Sequence, residues 1–403
     1  RALEQQRLEA WGRDGQRVIA LAVRSVDAER RCGLEDEADL TLLGYLLFND
    51  PLKPGIAEAV AALAKNGVSL RIVSGDNRYV AEHVATAIGL TPRVVVGEDL
   101  DGLGNDALTR VIATANVFAE VTPDQKERII TALRRIGHAV GYLGDGINDA
   151  PALRAADIGI SVDNAVDAAK ASADVILLQR DLLVLLDGII AGRTAFGNTI
   201  KYIAITISAN FGNMISMAVA SLLLPFLPML ATQILLNNLL SDLPMLAVST
   251  DRVDSELLGA PRRWDFRSLV RSMLSFGLVS SAFDALTFFV LLQVFHATPA
   301  VFQTAWFTES LLTELVVIAV MRTQKPFFRS LPAPLLLSMQ VLVGAIAVIL
   351  PFVPFAGLLQ FVPLPGLLLS AILGIVLAYM TASELLKRWI GVLGPAVRSQ
   401  AKG

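Results

Sequence analysis

Short apolar runs alternate with helical patterns over roughly the first 200 residues of the chain. Five runs have the composition of buried strands, at 18–23, 40–48, 69–76, 138–146 and 157–162. Three other segments space their apolar residues three and four apart, as one face of an α-helix does, at 55–67, 77–90 and 122–137. Strands that alternate with helices are typical of a parallel sheet, so the pattern predicts an α/β fold here.

Six long apolar stretches dominate the rest of the sequence, at 200–224, 228–248, 268–294, 304–321, 333–353 and 366–386. Each is close to the ~20 residues that a helix needs to cross the hydrocarbon core of a bilayer. We therefore predict an all-α transmembrane bundle of six helices. The stretch before them, 172–202, contains no obvious helix breaker and is expected to be a stiff helical connection into the first span.

The loops between these stretches differ in their basic residues, which predicts an orientation. Lys and Arg occur in every second loop and at the C-terminal end, at Arg252, Arg262, Arg263, Arg267, Arg322, Lys325, Arg329, Lys387 and Arg388. The alternate loops, around 225–228, 296–305 and 354–365, contain neither residue type. By the positive-inside rule, the basic loops, the α/β part and the C-terminus lie in the cytoplasm of a multi-pass protein of the cell membrane.

Composition supports the lipid bilayer as a partner and argues against nucleic acid. Hydrophobic residues make up 54% of the chain, more than in an ordinary soluble domain. The formal net charge is −3, whereas a nucleic-acid-binding surface needs a dense basic face. The single cysteine rules out a disulfide within the chain.

Two short motifs in the α/β part suit the binding of an anionic phosphoryl group. The sequence VSGD places Ser74, Gly75 and Asp76 between a predicted strand and a helix, where a hydroxyl and a backbone N–H can meet a phosphate oxygen. The sequence VTPDQK places Lys126 in the first turn of a helix, where a cation opposes the helix dipole and needs another reason. A capped turn and a surface lysine are the alternatives.

The stretch GDGINDAPAL at 144–153 predicts a magnesium site. A buried strand delivers Asp145, and Asn148 and Asp149 follow within about one turn. Paired carboxylates near a strand end are hard oxygen ligands of the kind that Mg²⁺ prefers, with phosphate oxygens in its other positions. The alternative is a turn that caps the next helix.

A fourth motif, NDPLKPG at 49–55, places Asp50 and Lys53 beside prolines at an apparent domain border. Such a segment suits a hinge, and a simple capped turn is the alternative.

Together these motifs resemble those of the P-type cation-transporting ATPases, which are related to the haloacid-dehalogenase (HAD) phosphotransferases. The resemblance implies an ATP-driven pump with an incomplete HAD-like phosphorylation domain built on a parallel sheet, and with Mg²⁺ and ATP as cofactor and substrate. It implies a phosphate-binding loop at Ser74, Gly75 and Asp76, where the family has Thr at the first position. It also implies that Lys126 binds the phosphoryl group.

The same resemblance gives roles to the acidic residues. It implies that Asp145 is the catalytic Mg²⁺ ligand, with Asn148 and Asp149 as supporting metal-site residues. Asp50 and Lys53 resemble the family's hinge near the nucleotide, in which a second proline and an arginine are usual where this sequence has Leu and Lys.

One part of the family pattern is missing from the sequence. The phosphorylated aspartate of the family lies in a DKTGT motif, which does not occur here, and the KG signature of the nucleotide domain is also absent. Without that aspartate the chain cannot form an aspartyl phosphate, so we expect a C-terminal fragment or one product of a divided gene. The expected parts are a nucleotide-domain tail and hinge (1–38), a phosphorylation domain without the DKTGT strand (39–180), a cytoplasmic stalk helix (181–199), six membrane helices corresponding to the family's helices 5–10 (200–390) and a cytoplasmic tail (391–403).

Polar residues inside the predicted spans are candidates for a cation path, because amide and ionisable groups are costly in a bilayer. The first span has Asn210 and Asn213 on one helical face. The second has Asn238, Ser241 and Asp242 within about one turn. Their oxygens can form a cage for a hard cation, and hydrogen bonds between helices are the alternative.

Asp284 in the third span and Glu309 in the fourth are further candidates, and Glu314 is a weaker one. The first two spans resemble the family's fifth and sixth helices, and Asn213 stands where the calcium pumps have a glutamate. Residues 200–325 resemble the bacterial magnesium-importing P-type ATPases most specifically. This resemblance implies movement of Mg²⁺ into the cytoplasm, driven by ATP.

Three other functions stay open from the sequence. The first is a pump for Ca²⁺ or H⁺. The second is a non-catalytic remnant or partner membrane protein, which the missing DKTGT motif favours. The third is a phosphatase tethered to a membrane, although an anchor needs neither buried carboxylates nor six spans.

Overall fold

The computed structural model describes residues 2–25, 33, 37–179, 181–259, 261 and 264–390. The chain divides into two units, Arg1–Gly188 and Ile189–Gly403. Two sequence predictions fall outside the described residues: the basic pair Arg262 and Arg263, and the tail at 391–403.

The first unit contains eight helices and eight strands in its described residues. The helices are α1 (Ala2–Arg13), α2 (Ile56–Lys65), α3 (Arg78–Ala87), α4 (Gly97–Leu100), α5 (Asn105–Thr114), α6 (Pro123–Arg135), α7 (Ala150–Ala155) and α8 (Asp167–Ser172). The strands are β1 (Gln16–Val23), β2 (Thr41–Asn49), β3 (Ile72–Val73), β4 (Val94–Val96), β5 (Val117–Ala119), β6 (Gly141–Leu143), β7 (Ile158–Val162) and β8 (Val175–Leu177).

Two parallel three-stranded sheets confirm the predicted α/β class. One has the order β3-β5-β4 and the other β6-β7-β8, and helices connect successive strands in both. Phe118 of β5 and Ile160 of β7 belong to one hydrophobic core, although their strands lie in different sheets. Among the described strands, β3 and β6 each pair on one side only, so the strands that lead into the SGD and GDGIND segments are both sheet edges.

The first two predicted strands form, but their predicted environment is wrong. β1 and β2 pair with each other in antiparallel fashion and join neither parallel sheet. Their apolar side chains are exposed: Ile19 by 55%, Leu43 by 66% and Phe48 by 51%. A continuous apolar run indicates that both faces of a strand are to be buried. It does not indicate which segment of the protein packs against them.

Three strands of three residues each, β4, β5 and β8, escaped the sequence prediction. The similarly short β3 and β6 were predicted, because each lies within a longer apolar run that ends in a motif. No periodicity is measurable in so short a segment. The prediction of continuous helix over 172–202 was therefore wrong in its first part, where β8 precedes the next helix.

The second unit is helical. Its helices are α9 (Leu182–Leu223, which begins before the unit boundary), α10 (Ala231–Ala247), α11 (Ser255–Leu258), α12 (Phe266–Phe289), α13 (Pro299–Met321), α14 (Pro334–Ile349) and α15 (Gly366–Ile390). Among the described residues, five helices are long and apolar enough to cross a membrane, namely α9, α12, α13, α14 and α15. The second predicted span corresponds to the shorter α10, which has 17 residues and is not among these five.

Helices α9 and α12 cross closely at two glycines. A Cβ atom on Gly212 would lie 2.9 Å from the Cβ atom of Ser280 and 3.2 Å from the carbonyl oxygen of Gly277. Ser281 also donates a hydrogen bond of 3.1 Å to the carbonyl oxygen of Gly212. Small residues at this crossing let the two backbones approach, as is usual where membrane helices pack.

Replacing Gly212 by leucine is expected to lower the thermal unfolding midpoint, because the new side chain has to displace Ser280 and the backbone of Gly277. Overpacking of this kind typically costs ~1–3 kcal/mol. Gly374 in α15 provides the control, since a Cβ atom there meets no atom within 4 Å. Equal melting of the Gly212→Leu and Gly374→Leu variants in detergent would contradict the close crossing.

Candidate functional site

The Ser74–Asp76 loop follows β3 directly and is fixed by its own side chains. The backbone N–H of Asp76 donates to Ser74 Oγ over 3.1 Å, and Ser74 Oγ donates to Asp76 Oδ2 over 3.0 Å. Asn77 then caps α3 by accepting from the N–H of Tyr79. The loop therefore presents a hydroxyl and backbone groups at the start of a helix, as the sequence predicts.

Backbone bonds join this loop to the segment that precedes Lys126. The N–H of Val121 donates to the carbonyl oxygen of Ser74 over 3.2 Å, and the N–H of Glu120 donates to that of Asp76 over 2.9 Å. Thr122 caps α6, and Gln125 completes the capping box. The Ser74–Asp76 loop and the first turn of α6 are thus held side by side.

Arg17 is a site neighbour that the sequence analysis missed. It lies on β1, and its Nη2 atom is 2.6 Å from Asp76 Oδ2. Its position in an apolar run does not indicate a place in the site. Arg17 and Asp76 are 59 residues apart in the sequence, and only the fold brings them together.

Lys126 forms an ion pair with Asp149, over 2.8 Å from Nζ to Oδ1. Both side chains are nearly enclosed, with 12% and 13% of their surfaces exposed. The pair links the first turn of α6 to the GDGIND segment. Two of the motifs that the sequence singled out are thereby in direct contact.

Asp149 has two further donors. Tyr142 on β6 donates from its hydroxyl to Oδ1 over 2.8 Å, and the N–H of Gly146 donates to Oδ2 over 3.1 Å. Burial by itself raises the pKa of Asp149, but the hydrogen bonds from Lys126 and Tyr142 outweigh it, so the pKa lies below its ordinary value. Asp149 is therefore an ionised acceptor at neutral pH.

Asp145 and Asn148 are exposed at the carboxyl end of β6. A cavity of about 590 Å³ opens there, lined among others by Lys53, Leu143, Asp145, Val162 and Asp181. The predicted hinge lysine and the predicted magnesium ligand thus face one cavity, whereas Asp50 is exposed and does not line it.

The described residues contain no group of three or more His, Cys, Asp or Glu side chains that could hold a metal ion on its own. The exposed carboxylate of Asp145 fits a Mg²⁺ ion that takes its other ligands from phosphate and water. Asp149, which has three protein donors, fits a supporting role beside it.

The second unit brings together a buried amide and carboxylate group on three helices. Asn213 of α9 and Asn237 of α10 both donate from their amides to Glu314 Oε1 of α13, the latter over 3.0 Å. Glu314 is 7% exposed and Asn237 is 4% exposed. The sequence analysis gave Glu314 little weight, because it stands in no recognisable pattern.

Asp284 lies in a second buried polar group. Ser216 donates to its Oδ2 atom over 2.6 Å, and the indole N–H of Trp306 donates to its Oδ1 atom over 2.9 Å. Glu309 is 1% exposed, and its Oε2 atom has no hydrogen-bond partner among the described residues. A buried oxygen without a donor is costly and marks a place where a proton or a cation can bind.

Of the remaining predicted transport residues, Ser241 belongs to the same group as Glu314. It is half-buried, its hydroxyl is a hydrogen-bond partner of the Glu314 side chain, and it also lies 3.1 Å from the carbonyl oxygen of Asn238. Asn210, Asn238 and Asp242 are exposed on their helices. The structure thus brings Asn213 and Ser241 to Glu314 and leaves three other candidates on an open face.

Comparisons with known proteins agree with both units. The family model of haloacid dehalogenase-like hydrolases matches residues 6–157, and that of the C-terminus of cation transporting ATPases matches residues 226–389. A magnesium-transporting ATPase, P-type 1, of Salmonella typhimurium (strain 14028s / SGSC 2262) is 46% identical over 386 residues, which are 94% of this chain and 43% of that protein.

Two other relatives widen the comparison. The protein of the same description from Escherichia coli (strain K12) is 45% identical over 386 residues, again 94% of this chain and 43% of the relative. A calcium-transporting ATPase of Bacillus subtilis (strain 168) is 30% identical over 327 residues, or 78% of this chain and 37% of the relative. The chain therefore spans less than half the length of these relatives.

Proposed function

We propose that this chain, a multi-pass membrane protein that belongs to the P-type cation-transporting ATPases, is the C-terminal part of an ATP-driven pump. The pump imports Mg²⁺ through an aspartyl-phosphate intermediate. One observation carries the proposal: Lys126 of one motif is paired with Asp149 of another, beside the Ser74 loop. Phosphoryl transfer needs such a cation and such donors in fixed positions, because its catalysis is mostly positioning and charge stabilisation.

Each candidate site residue of the first unit then has a proposed role. The hydroxyl of Ser74 and the N–H of Gly75 bind oxygens of the phosphoryl group, and Lys126 offsets its negative charge. Asp145, with Asn148 nearby, would hold a Mg²⁺ ion, which when bound neutralises charge on the phosphate oxygens. Asp76 orients the loop through Ser74 and Arg17.

The aspartate that becomes phosphorylated has to come from a segment outside this sequence. Three features support this: the unpaired sides of β3 and β6 among the described strands, the cavity beside Asp145, and the exposed apolar ribbon of β1 and β2. We propose that an upstream segment of a longer protein adds a strand at the edge of β3 or β6, and that this segment carries the nucleophile.

The buried group of Asn213, Asn237 and Glu314 supports a cation site in the membrane. Glu314 brings a carboxylate to Asn213, the position at which calcium pumps carry one on the first span. Amide and carboxylate oxygens are ligands for hard cations such as Mg²⁺. The similarity to magnesium-transporting relatives favours Mg²⁺ as the cargo.

The open face with Asn210, Asn238 and Asp242 supports further membrane helices in the same pump. An ionised carboxylate in contact with lipid is costly, so this face needs a partner that covers it and completes the cation path. We also propose that the α/β unit and the basic loops lie in the cytoplasm and that residues 181–199 form the stalk.

The test uses the full-length pump in membrane vesicles, with Mg²⁺ uptake and ATP hydrolysis measured in parallel. Asp242→Asn is expected to reduce uptake more than about tenfold, and Glu314→Gln to reduce it by a similar factor, since each removes a charged ligand from a low-dielectric site. ATP binding should be unchanged. The control is Asp187→Asn, which neutralises an exposed carboxylate in the first turns of α9.

Unimpaired uptake in both site variants would remove these residues from the transport path. A full-length protein that hydrolyses ATP in response to Ca²⁺ and not Mg²⁺ would replace the proposed cargo. A full-length protein that does not hydrolyse ATP at all would favour the alternative function, a non-catalytic remnant or partner membrane protein.

A further inference from the structure

Tyr142 makes a contact in the phosphoryl-transfer site that none of the motifs predicts. It lies in the middle of β6 and is 7% exposed. Its hydroxyl donates to Asp149 Oδ1 over 2.8 Å, and the same oxygen accepts from Lys126 over 2.8 Å. One carboxylate oxygen is thus shared by a phenol and an ammonium group.

The backbone is built to allow this contact. A Cβ atom on Gly144 would lie 2.6 Å from the Cβ atom of Asp149 and 3.0 Å from the ring of Tyr142. Only a glycine leaves room for the two side chains to meet across this turn. The N–H of Gly146 holds the other oxygen of Asp149 over 3.1 Å, so the carboxylate is fixed at both ends.

We propose that Tyr142 is a positioning residue for Lys126, acting through Asp149; this rests on the proposed phosphoryl-transfer function. The hydroxyl keeps the carboxylate of Asp149 in one orientation, and that orientation holds the ammonium of Lys126 where a phosphoryl group binds. The effect of Tyr142 on the reaction passes through two hydrogen bonds on one oxygen.

The protonation states agree with this role. A phenol is protonated at neutral pH, so Tyr142 is a donor to the carboxylate of Asp149. A phenylalanine would fill the same space in β6 without the hydroxyl. What Tyr142 adds over a phenylalanine is therefore a hydrogen bond to a charged group. Such bonds in enclosed sites are among the stronger hydrogen bonds.

The kinetic test compares Tyr142→Phe with Tyr45→Phe in the full-length pump. Tyr45 is the matched control, because its hydroxyl also donates to a carboxylate, Glu4 Oε2 over 3.0 Å, outside the site. Tyr142→Phe is expected to lower kcat roughly tenfold with KM for ATP unchanged, and to weaken inhibition by orthovanadate, a phosphoryl analogue, by a similar factor. A kcat that falls by less than about twofold, as in Tyr45→Phe, would overturn the proposal.

A second measurement does not depend on ATP hydrolysis. The amine of Lys126 is labelled with an acylating reagent and quantified by mass spectrometry in the full-length protein. Tyr142→Phe is expected to raise the labelling rate of Lys126 roughly three- to tenfold, because the loosened carboxylate holds the ammonium less firmly, whereas Tyr45→Phe leaves it unchanged. An inactive wild-type protein would overturn the proposed function alone. An unchanged labelling rate in Tyr142→Phe would overturn the role of Tyr142 alone.

Discussion

Replacing Asp251 by alanine is expected to unfold the membrane unit at moderate temperature, because two buried cations lose the carboxylate that they share. Lys201 Nζ, on α9, lies 2.9 Å from Asp251 Oδ2. Arg322, which follows α13, has its Nε atom 3.1 Å from the same oxygen. All three residues are at most 2% exposed. The carboxylate also accepts from the N–H of Ala333, just before α14, over 3.1 Å.

The expected loss is about 3–5 kcal/mol, the cost of breaking a buried pair by removing one partner. Such a loss is a large share of the free energy of unfolding of most domains. Thermal or denaturant unfolding of the purified protein in detergent measures it. The matched control replaces all three groups, as Lys201→Met, Asp251→Leu and Arg322→Met, and should recover most of the stability because no charge is left buried. A single Asp251→Ala variant that melts like the wild type would contradict the prediction.

The same carboxylate gives the unit a defined response to acid. Burial by itself raises the pKa of Asp251, but the hydrogen bonds from Arg322 and Lys201 outweigh it, so its folded pKa lies below the ordinary value of 3.8. Its contribution to stability is therefore complete above that ordinary value and disappears as the pH falls through the folded pKa. The Asp251→Leu triple variant should lose this part of the acid sensitivity.

The sequence predicted those parts of the site that lie within short motifs. The SGD, TPDQK and GDGIND segments each combine a strand end, a helix start and a reactive side chain within ten residues, so local rules suffice to assign them. Five of the six predicted membrane helices followed in the same way from length and composition, and the other, α10, has only 17 residues. The three-residue strands β4, β5 and β8 gave no comparable signal.

Contacts between distant segments could not be predicted. Arg17 meets Asp76 across 59 residues, and Asn213 meets Glu314 across 101. Nothing in the local pattern around Glu314 indicates that its carboxylate accepts a hydrogen bond from Asn213 rather than from a residue on some other helix. The exposure of Asp242 also follows from the arrangement of helices and not from its own helix, on which it shares a turn with Asn238. Periodicity assigns a residue to a helix face, and only packing decides what that face meets.

Neutralising Asp145 is expected to abolish ATP turnover while leaving the fold intact. Asp145 is exposed at the end of β6, so Asp145→Asn leaves no buried charge behind and should not change the unfolding midpoint. Its carboxylate is the hard oxygen ligand that the proposed Mg²⁺ ion needs, and an amide is a much weaker ligand for that ion. Metal stabilisation of phosphoryl charge contributes several kcal/mol to such reactions, so kcat should fall roughly 10³-fold.

Asp163→Asn is the matched control for this prediction. Asp163 is also an exposed carboxylate directly after a parallel strand, β7, which neighbours β6 in the sheet. Both variants are introduced into the proposed full-length pump, and ATP hydrolysis is measured over a range of Mg²⁺ concentrations. The control should keep the wild-type rate, and Asp145→Asn should need much more Mg²⁺ for any residual activity. Equal rates in the two variants at low Mg²⁺ would show that the carboxylate at the end of β6 has no part in the chemistry, because the two residues are alike in exposure and charge and follow neighbouring strands.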